Sequence, residues 1–150
     1  MRTGSDYLAA LRDGRQVYLD GERVDDVAAH PGFAPIAGTI AELYDLAADP
    51  KTRMTVTDET TGEETNRVFT APRTPRELAA YRRAVQTWAR HSHGWVGRSP
   101  DHVGAFITAF AAHPEEFDQN GRAFGKNVTA YHRRLQAEQP YVSYAIIPPQ

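Results

Sequence analysis

Apolar residues recur at helical spacing in several stretches of this chain, and turn residues separate them. Tyr7, Leu8 and Leu11 follow Thr3 and Ser5, either of which can cap a short helix that Asp13-Gly14 closes. Between Pro35 and Ala48, the residues Ile36, Ile40, Leu43, Tyr44 and Ala47 share one helical face, and Asp49-Pro50 stops it. Thr74-Pro75-Arg76-Glu77 has the spacing of a capping box, in which the threonine and glutamate side chains each accept from the other's backbone amide. It precedes Leu78, Tyr81, Val85, Trp88 and Ala89 on one stripe, the most regular helical pattern in the chain. A further helix is predicted from Pro100 to about Ala112, with Val103, Phe106, Ile107 and Phe110 facing the core. Another is predicted from about Glu115 to Gln139, ended by Pro140.

The remaining stretches read as hairpins and turns. Val17-Tyr18-Leu19 and Glu22-Arg23-Val24 flank Asp20-Gly21, a dipeptide suited to a two-residue turn in which both central residues take positive φ. Asp25 to Ala29 predicts one helical turn. From Lys51 to Thr70 the period shortens, with Met54 and Val56 alternating with threonines, and the reading is a polar, exposed hairpin or loop turning at Thr61-Gly62. Tyr141 to Ile147 is aromatic and β-branched, which predicts a buried strand before Pro148-Pro149. Such a strand needs partners that the short hairpins do not supply, so the sequence reads as the opening part of a larger protein. The expected organisation is a helical domain over 1–139 and the start of a β domain over 140–150.

Composition sets limits on function. The 150 residues are 41% hydrophobic, enough for one core, and the formal charge of −2 gives no basic footprint for nucleic acid. No apolar run approaches the roughly 20 residues that span a bilayer, and no signal-peptide core opens the chain. With no cysteine there is neither a disulfide framework nor a thiolate metal site. The expectation is a soluble, cytoplasmic protein.

Candidate chemistry concentrates between His91 and His102. Ser99 and Pro100 are suited to the cap and first position of the helix that follows, which places Arg98 just outside a helix N-terminus and His102 in its first turn. A guanidinium, open amides and a neutral imidazole together suit an oxyanion such as a phenolate or a carboxylate. The plainer alternatives are that Arg98 pairs with Asp101 or caps a carbonyl, and that His102 is an ordinary helix residue. His91 and His93, with His102 nearby, make a thin zinc set without cysteine or a clear acidic ligand, so no metal is expected. Trp88, Trp95, Phe106 and Phe110 read as core, and Arg82-Arg83 and Arg133-Arg134 as a solvated face.

The run Gly94-Trp95-Val96-Gly97-Arg98-Ser99-Pro100-Asp101-His102 resembles the Gly-x-x-Gly-Arg-Ser/Thr-Pro-Asp-Tyr/His signature of the oxygenase component of two-component flavin-dependent phenol hydroxylases, the 4-hydroxyphenylacetate 3-hydroxylase family. The likeness extends to Arg2-Thr3-Gly4-Ser5-Asp6-Tyr7-Leu8, Leu11 to Arg15, Val17 to Val24, His30-Pro31, Leu43 to Leu46, Thr61-Gly62-Glu63 and Tyr144 to Gln150, in family order.

The resemblance implies a mostly α fold with small β-hairpins. It would be the N-terminal helical domain of an acyl-CoA-dehydrogenase-like architecture, ending at the first strand of a β-barrel domain. It also implies a monooxygenase that hydroxylates a phenol ortho to its hydroxyl group with O2 and reduced flavin (FADH2, FAD in preference to FMN) delivered by a separate reductase. Arg98, His102 and Tyr144 match the positions that contact the phenol oxygen; His102 stands where relatives more often carry Tyr, and Tyr144 where they usually carry His. Pro149 and Gln150 match a segment that approaches the flavin, and Trp95 and Phe106 would wall the site from water. The expected substrate is a phenolic small molecule or a carrier-tethered phenol, the expected assembly a homotetramer, and these 150 residues alone are expected to be inactive. The alternative reading is a non-catalytic helical module for interaction or assembly.

Overall fold

The computed structural model describes residues 1–59, 61–96 and 101–143, together with the backbone of Pro100. The chain forms α1 (Gly4–Ala10), β1 (Val17–Leu19), β2 (Glu22–Val24), α2 (Ala34–Ala48), β3 (Thr55–Thr57), β4 (Glu64–Asn66), α3 (Pro75–His91), α4 (Pro100–Ala112) and α5 (Gly125–Glu138). Two antiparallel hairpins, β1 with β2 and β3 with β4, are the only sheets among the described residues. The fold is mostly helical with small hairpins, as the apolar periodicity predicts.

Local chemistry explains most boundaries. Thr3 caps α1 through a full capping box, its hydroxyl accepting from the Asp6 amide at 3.2 Å and its own amide donating to Asp6 Oδ2 at 2.9 Å. Thr74 and Glu77 do the same for α3, at 3.2 Å in both directions. Asp20 and Gly21 take φ of 52° and 85°, the mirror-image turn that matches strand twist, and pair Leu19 with Glu22. At its far end α3 closes in a Schellman arrangement. The Gly94 amide reaches Ala89 O at 2.9 Å and the His93 amide Arg90 O at 3.3 Å, with His93 itself left-handed at φ 50°.

The principal core joins Leu43 and Ala47 of α2, Ala84 and Trp88 of α3, and Leu135 of α5 around Met54, Val68 and Phe69. Leu43, Met54, Val68 and Leu135 are wholly buried, each stabilising the fold by about 1.5–3 kcal/mol. The Trp88 indole N–H donates to Leu43 O at 2.8 Å, satisfying the one polar atom that this ring brings inside. A second cluster holds Tyr7 of α1 against Ile40, Ala41 and Tyr44 of α2.

Several expectations need correction. The Lys51–Thr70 stretch forms a hairpin with its turn at residues 61–64 exposed, but it is not exposed throughout: Met54, Thr65, Asn66, Val68 and Phe69 are all buried. Its polar residues bond inward, Thr55 Oγ1 to Ala47 O at 3.2 Å and Thr65 Oγ1 to Gln136 O at 3.0 Å, so threonine content does not mark a solvent face here. The predicted helix over 115–139 is broken. A 3₁₀ turn at Pro114–Phe117 and a reversal at Asn120 and Gly121, both with positive φ, delay α5 to Gly125. Ile36 is 49% exposed because the buried face of α2 runs through Ala37, Ala41 and Leu43 instead. Leu78 is likewise outside. Trp95, Phe106 and Phe110 are not core, with Trp95 90% and Phe106 50% exposed. Tyr141–Ser143 carry no strand, and the rest of the predicted strand lies outside the described residues.

The position of α4 is set by a close approach. Gly104 is buried, and a Cβ there would lie 2.9 Å from two ring carbons of Phe69, whose ring is itself held in the core. Alanine favours helix over glycine by about 1 kcal/mol, yet Gly104→Ala is expected to lower stability by about 1–3 kcal/mol net of that gain, because overpacking displaces Phe69. Urea unfolding measures this; equal or greater stability of the variant would contradict the tight seat of α4.

Candidate functional site

The site predicted from sequence lies at the start of α4. Helix α4 begins at Pro100, so Asp101 and His102 occupy its first turn as expected. A carboxylate is favoured there by the helix dipole. The His102 side chain is half-buried and meets the Phe106 ring edge-on, with centroids 5.0 Å apart and planes at 77°. That contact is the i, i+4 neighbour relation of a helix. Arg98 and Tyr144, the other residues assigned to the phenol oxygen, lie outside the described residues, as do Pro149 and Gln150.

The elements around this turn come from distant parts of the sequence. Burial, and then the charge of Asp101, pushes the phenol of Tyr81 on α3 up to about 12. Tyr141, in the segment after α5, is also raised, by burial first, then by Tyr7, then by Asp101. Asp101 thus acts on both tyrosines, and the first turn of α4 sits near α3 and the segment that follows α5. Both phenols remain neutral at physiological pH. Trp95 and Phe106 add exposed aromatic surface flanking the motif.

His91 does not join a metal set: its Nε2 lies 2.6 Å from Glu42 Oε2 on α2. Among the described residues, no three His, Asp or Glu side chains come together to hold a metal ion. No described helix is long and apolar enough to cross a membrane. Arg82, Arg83, Arg133 and Arg134 are exposed, and Arg134 pairs with Glu138 one turn on at 2.8 Å.

A larger cleft, about 460 Å³, opens near the other end of α4, between the β3–β4 hairpin, α3 and α5. No periodicity or motif points to this cleft, because its lining comes from segments far apart in the chain. His132 Nε2 donates to Phe69 O at 2.9 Å and lies 3.2 Å from Thr108 Oγ1. Gln136 Nε2 donates to Asp58 Oδ2 at 2.8 Å. These polar groups tie α5 to α4 and the hairpin, so the floor of the cleft is a structural network.

A mostly helical domain with two small hairpins is an arrangement shared with proteins of acyl-CoA-dehydrogenase-like architecture. Residues 3–150 match the family model described as 4-hydroxyphenylacetate 3-hydroxylase N terminal. The chain belongs to that family. It is 40% identical over 149 residues to the (3S)-3-amino-3-(3-chloro-4-hydroxyphenyl)propanoyl-peptidyl-carrier-protein monooxygenase of Streptomyces globisporus. It is 39% identical over 150 residues to the oxygenase component of 4-hydroxyphenylacetate 3-monooxygenase of Pseudomonas aeruginosa. Each alignment covers 98% of this chain and 28% of the relative, so the chain spans less than a third of their length. A crystal structure of such an oxygenase component complexed with FAD and 4-hydroxyphenylacetate superposes with a TM-score of 0.83 at 35% identity, over 93% of this chain and 29% of that one.

His132 supplies a pH prediction. Burial holds its imidazole below the usual value, outweighing the bond to Phe69 and the charge of Asp58. The folded form therefore binds this proton less well than the unfolded chain, whose histidine titrates near about 6.5. Stability is complete above that pH and is lost as pH falls towards the lowered folded value. Urea midpoints measured between about pH 5 and 8 should show this decline, and His132→Gln should flatten it relative to wild type. An unchanged profile in the variant would assign the decline to other groups.

Proposed function

We propose that this chain is the N-terminal domain of a two-component, reduced-flavin-dependent monooxygenase that hydroxylates a phenol ortho to its hydroxyl group, and that it supplies the groups binding the phenol oxygen. The observation that carries the reading is the family match over residues 3–150, with the motif residue His102 in the first turn of α4 near the segment that leads to Tyr144. Relatives solved with FAD and 4-hydroxyphenylacetate support flavin and a phenol as the ligands. The Streptomyces relative's name supports a carrier-tethered phenol as the other form of substrate.

The chemistry asked of this domain is charge control at one oxygen. A free phenol ionises near pH 10, and an electron-rich phenolate is the form that reacts fastest with an electrophilic oxygen. Arg98 is assigned as the fixed cation that lowers the phenol's pKa, assisted by the helix N-terminus. His102 in its neutral form accepts the proton or the hydrogen bond. Tyr144 orients the hydroxyl. Burial first, and the charge of Asp101 less, raise Tyr81 and Tyr141, and a cation at the phenol oxygen would act in the opposite sense.

The exposed rings of Trp95 and Phe106 fit a planar aromatic ligand and the exclusion of water. Reduced FAD, when bound, activates O2 and supplies the oxygen atom; Pro149 and Gln150 are the residues of this chain assigned to it. Residues 1–139 form the helical domain and 140–150 lead into a β domain. A separate flavin reductase, a homotetramer and a cytoplasmic location complete the reading, and these 150 residues alone are inactive.

The test uses the full-length protein with reduced flavin, O2 and a panel of para-substituted phenols, scoring catechol against peroxide. Arg98→Ala should lower kcat/KM for hydroxylation by about 10²–10³, as for loss of one oxyanion-stabilising donor, while reduced-flavin binding holds within about threefold. Equal loss of both would move Arg98 to the flavin side. A full-length protein that hydroxylates no phenol would overturn the reading.

A further inference from the structure

Helix α5 ends on an unusual residue. Gln139 is 3% exposed and adopts a left-handed conformation at φ 48°, a region where glycine or asparagine normally serves. Its backbone oxygen accepts from Tyr44 Oη at 2.8 Å and from Arg2 Nη1 at 3.3 Å. Its side-chain oxygen accepts from the Arg2 amide at 3.4 Å, and its side-chain nitrogen donates to Met1 Sδ at 3.3 Å. The partners lie far away in sequence, at the opening residues and in the middle of α2. Burial pushes the Tyr44 phenol well up, so its hydroxyl stays protonated and remains a donor.

Aromatic stacking completes the grip. Arg2 places its guanidinium 5.3 Å from the Tyr44 ring centre and 6.0 Å from that of Tyr7. Tyr7 stacks on Tyr44 at 5.3 Å and meets Tyr141 at 6.3 Å, two residues beyond Gln139. An ordinary helix exit needs none of this: one glycine would reverse the chain at no steric cost. Here a strained, buried glutamine is held by the opening residues and by α2 at once, and Pro140 then stiffens the exit. Such over-determination of a disfavoured backbone conformation fixes the direction in which the chain leaves the helix.

We propose that Arg2, Tyr44 and Gln139 form a positioning clamp that sets the path of the chain from α5 into the segment carrying Tyr144, and thereby the affinity and coupling of phenol hydroxylation. The clamp rests on the proposed function for its consequence, because Tyr144 is assigned there to the phenol oxygen. None of its three members is assigned to the phenol oxygen in the proposed function. Their effect is to hold a contact residue within the narrow range that reaction needs, where displacement of about 1 Å costs up to a hundredfold.

The experiment uses the full-length protein with four substitutions: Arg2→Ala, Arg2→Lys, Tyr44→Phe and Gln139→Gly. Arg2→Lys keeps a cation over the rings and one donor for the carbonyl. Gln139→Gly relieves the left-handed strain and keeps the carbonyl while deleting the side-chain tether. Arg2→Ala and Tyr44→Phe should raise KM for the phenol about tenfold, more than they lower kcat, and divert oxygen consumption from catechol to peroxide. Reduced-flavin binding should stay near wild type and Arg2→Lys should recover most of the loss. Gln139→Gly should resemble Tyr44→Phe in coupling without being less stable than wild type.

Amide hydrogen exchange supplies the readout that activity does not. Exchange at Gln139, Tyr141, Val142 and Ser143 should quicken in Arg2→Ala and Tyr44→Phe, while α3 keeps wild-type protection. Unchanged exchange overturns the clamp, and quickened exchange with wild-type KM and coupling reduces it to a structural tie. A wild-type protein that hydroxylates no phenol, with exchange responding as described, identifies the failure as that of the proposed function and removes the clamp's catalytic role with it.

Discussion

The fold depends on one buried turn, Arg67–Phe69, where α3, α4 and α5 meet. Val68 is wholly enclosed and Phe69 nearly so, which puts two apolar side chains at the centre of a bundle whose helices do not otherwise share one continuous seam. The turn also offers a carbonyl: Phe69 O accepts from His132 at 2.9 Å and Gln136 at 3.4 Å, so the same residue joins α5 by its backbone and α4 by its ring. Asn66 caps the turn by accepting from the Val68 amide at 3.1 Å, and the Met54 carbonyl accepts from Arg67 N at 2.7 Å. Every buried side-chain polar atom among the described residues is satisfied. That condition lets threonines, a glutamine and a histidine line an interior without the desolvation cost of unpaired groups.

That arrangement explains what the sequence could and could not reveal. Helices with side-chain caps were legible, because the Thr3 and Thr74 boxes are local chemistry written over four residues. So was the Asp20-Gly21 turn. The Lys51–Thr70 stretch was misread because burial there comes from long-range bonds such as Thr65 to Gln136, seventy-one residues apart, which no periodicity encodes. The break in the last helix was written in Pro114 and in Asn120-Gly121, but apolar residues continued across it and masked the turn. The exposed aromatics of α4 show the opposite error: Phe106 and Phe110 follow a helical stripe, yet in this domain α4 buries Gly104 and Thr108 towards its neighbours. Val103 and Ile107 of that stripe do pack against the core, so the small residues shift the close face around the helix relative to the count of large apolar side chains.

For the site, the motif was legible as a position and not as a set of contacts. A capped helix start at Pro100 and a histidine in its first turn follow from local sequence, and His102 stands where that reading put it. The field around it does not follow from sequence. Burial first, with the charge of Asp101 as a smaller contribution, raises the tyrosines of α3 and of the segment after α5, so both phenols stay neutral. A substrate phenol bound beside Arg98, as proposed, would instead meet a cation that favours its ionised form.

The replacement pair at the proposed phenol site obeys the same logic. A tyrosine at position 102 would be a phenol, able to donate a hydrogen bond but, protonated up to about pH 10, poorly able to take a proton. An imidazole there offers a ring nitrogen that can accept a proton while the other nitrogen carries its own. Placing histidine on α4 and tyrosine at 144 assigns the accepting role to the residue seated on the rigid helix, braced edge-on by Phe106, and the donating role to the segment entered through Gln139. An acceptor must meet the phenol proton at hydrogen-bond distance, whereas a donor rotates about its C–O bond to find the oxygen. The acceptor thus sits on α4, and the exchanged pair is a coherent arrangement for the proposed phenol site.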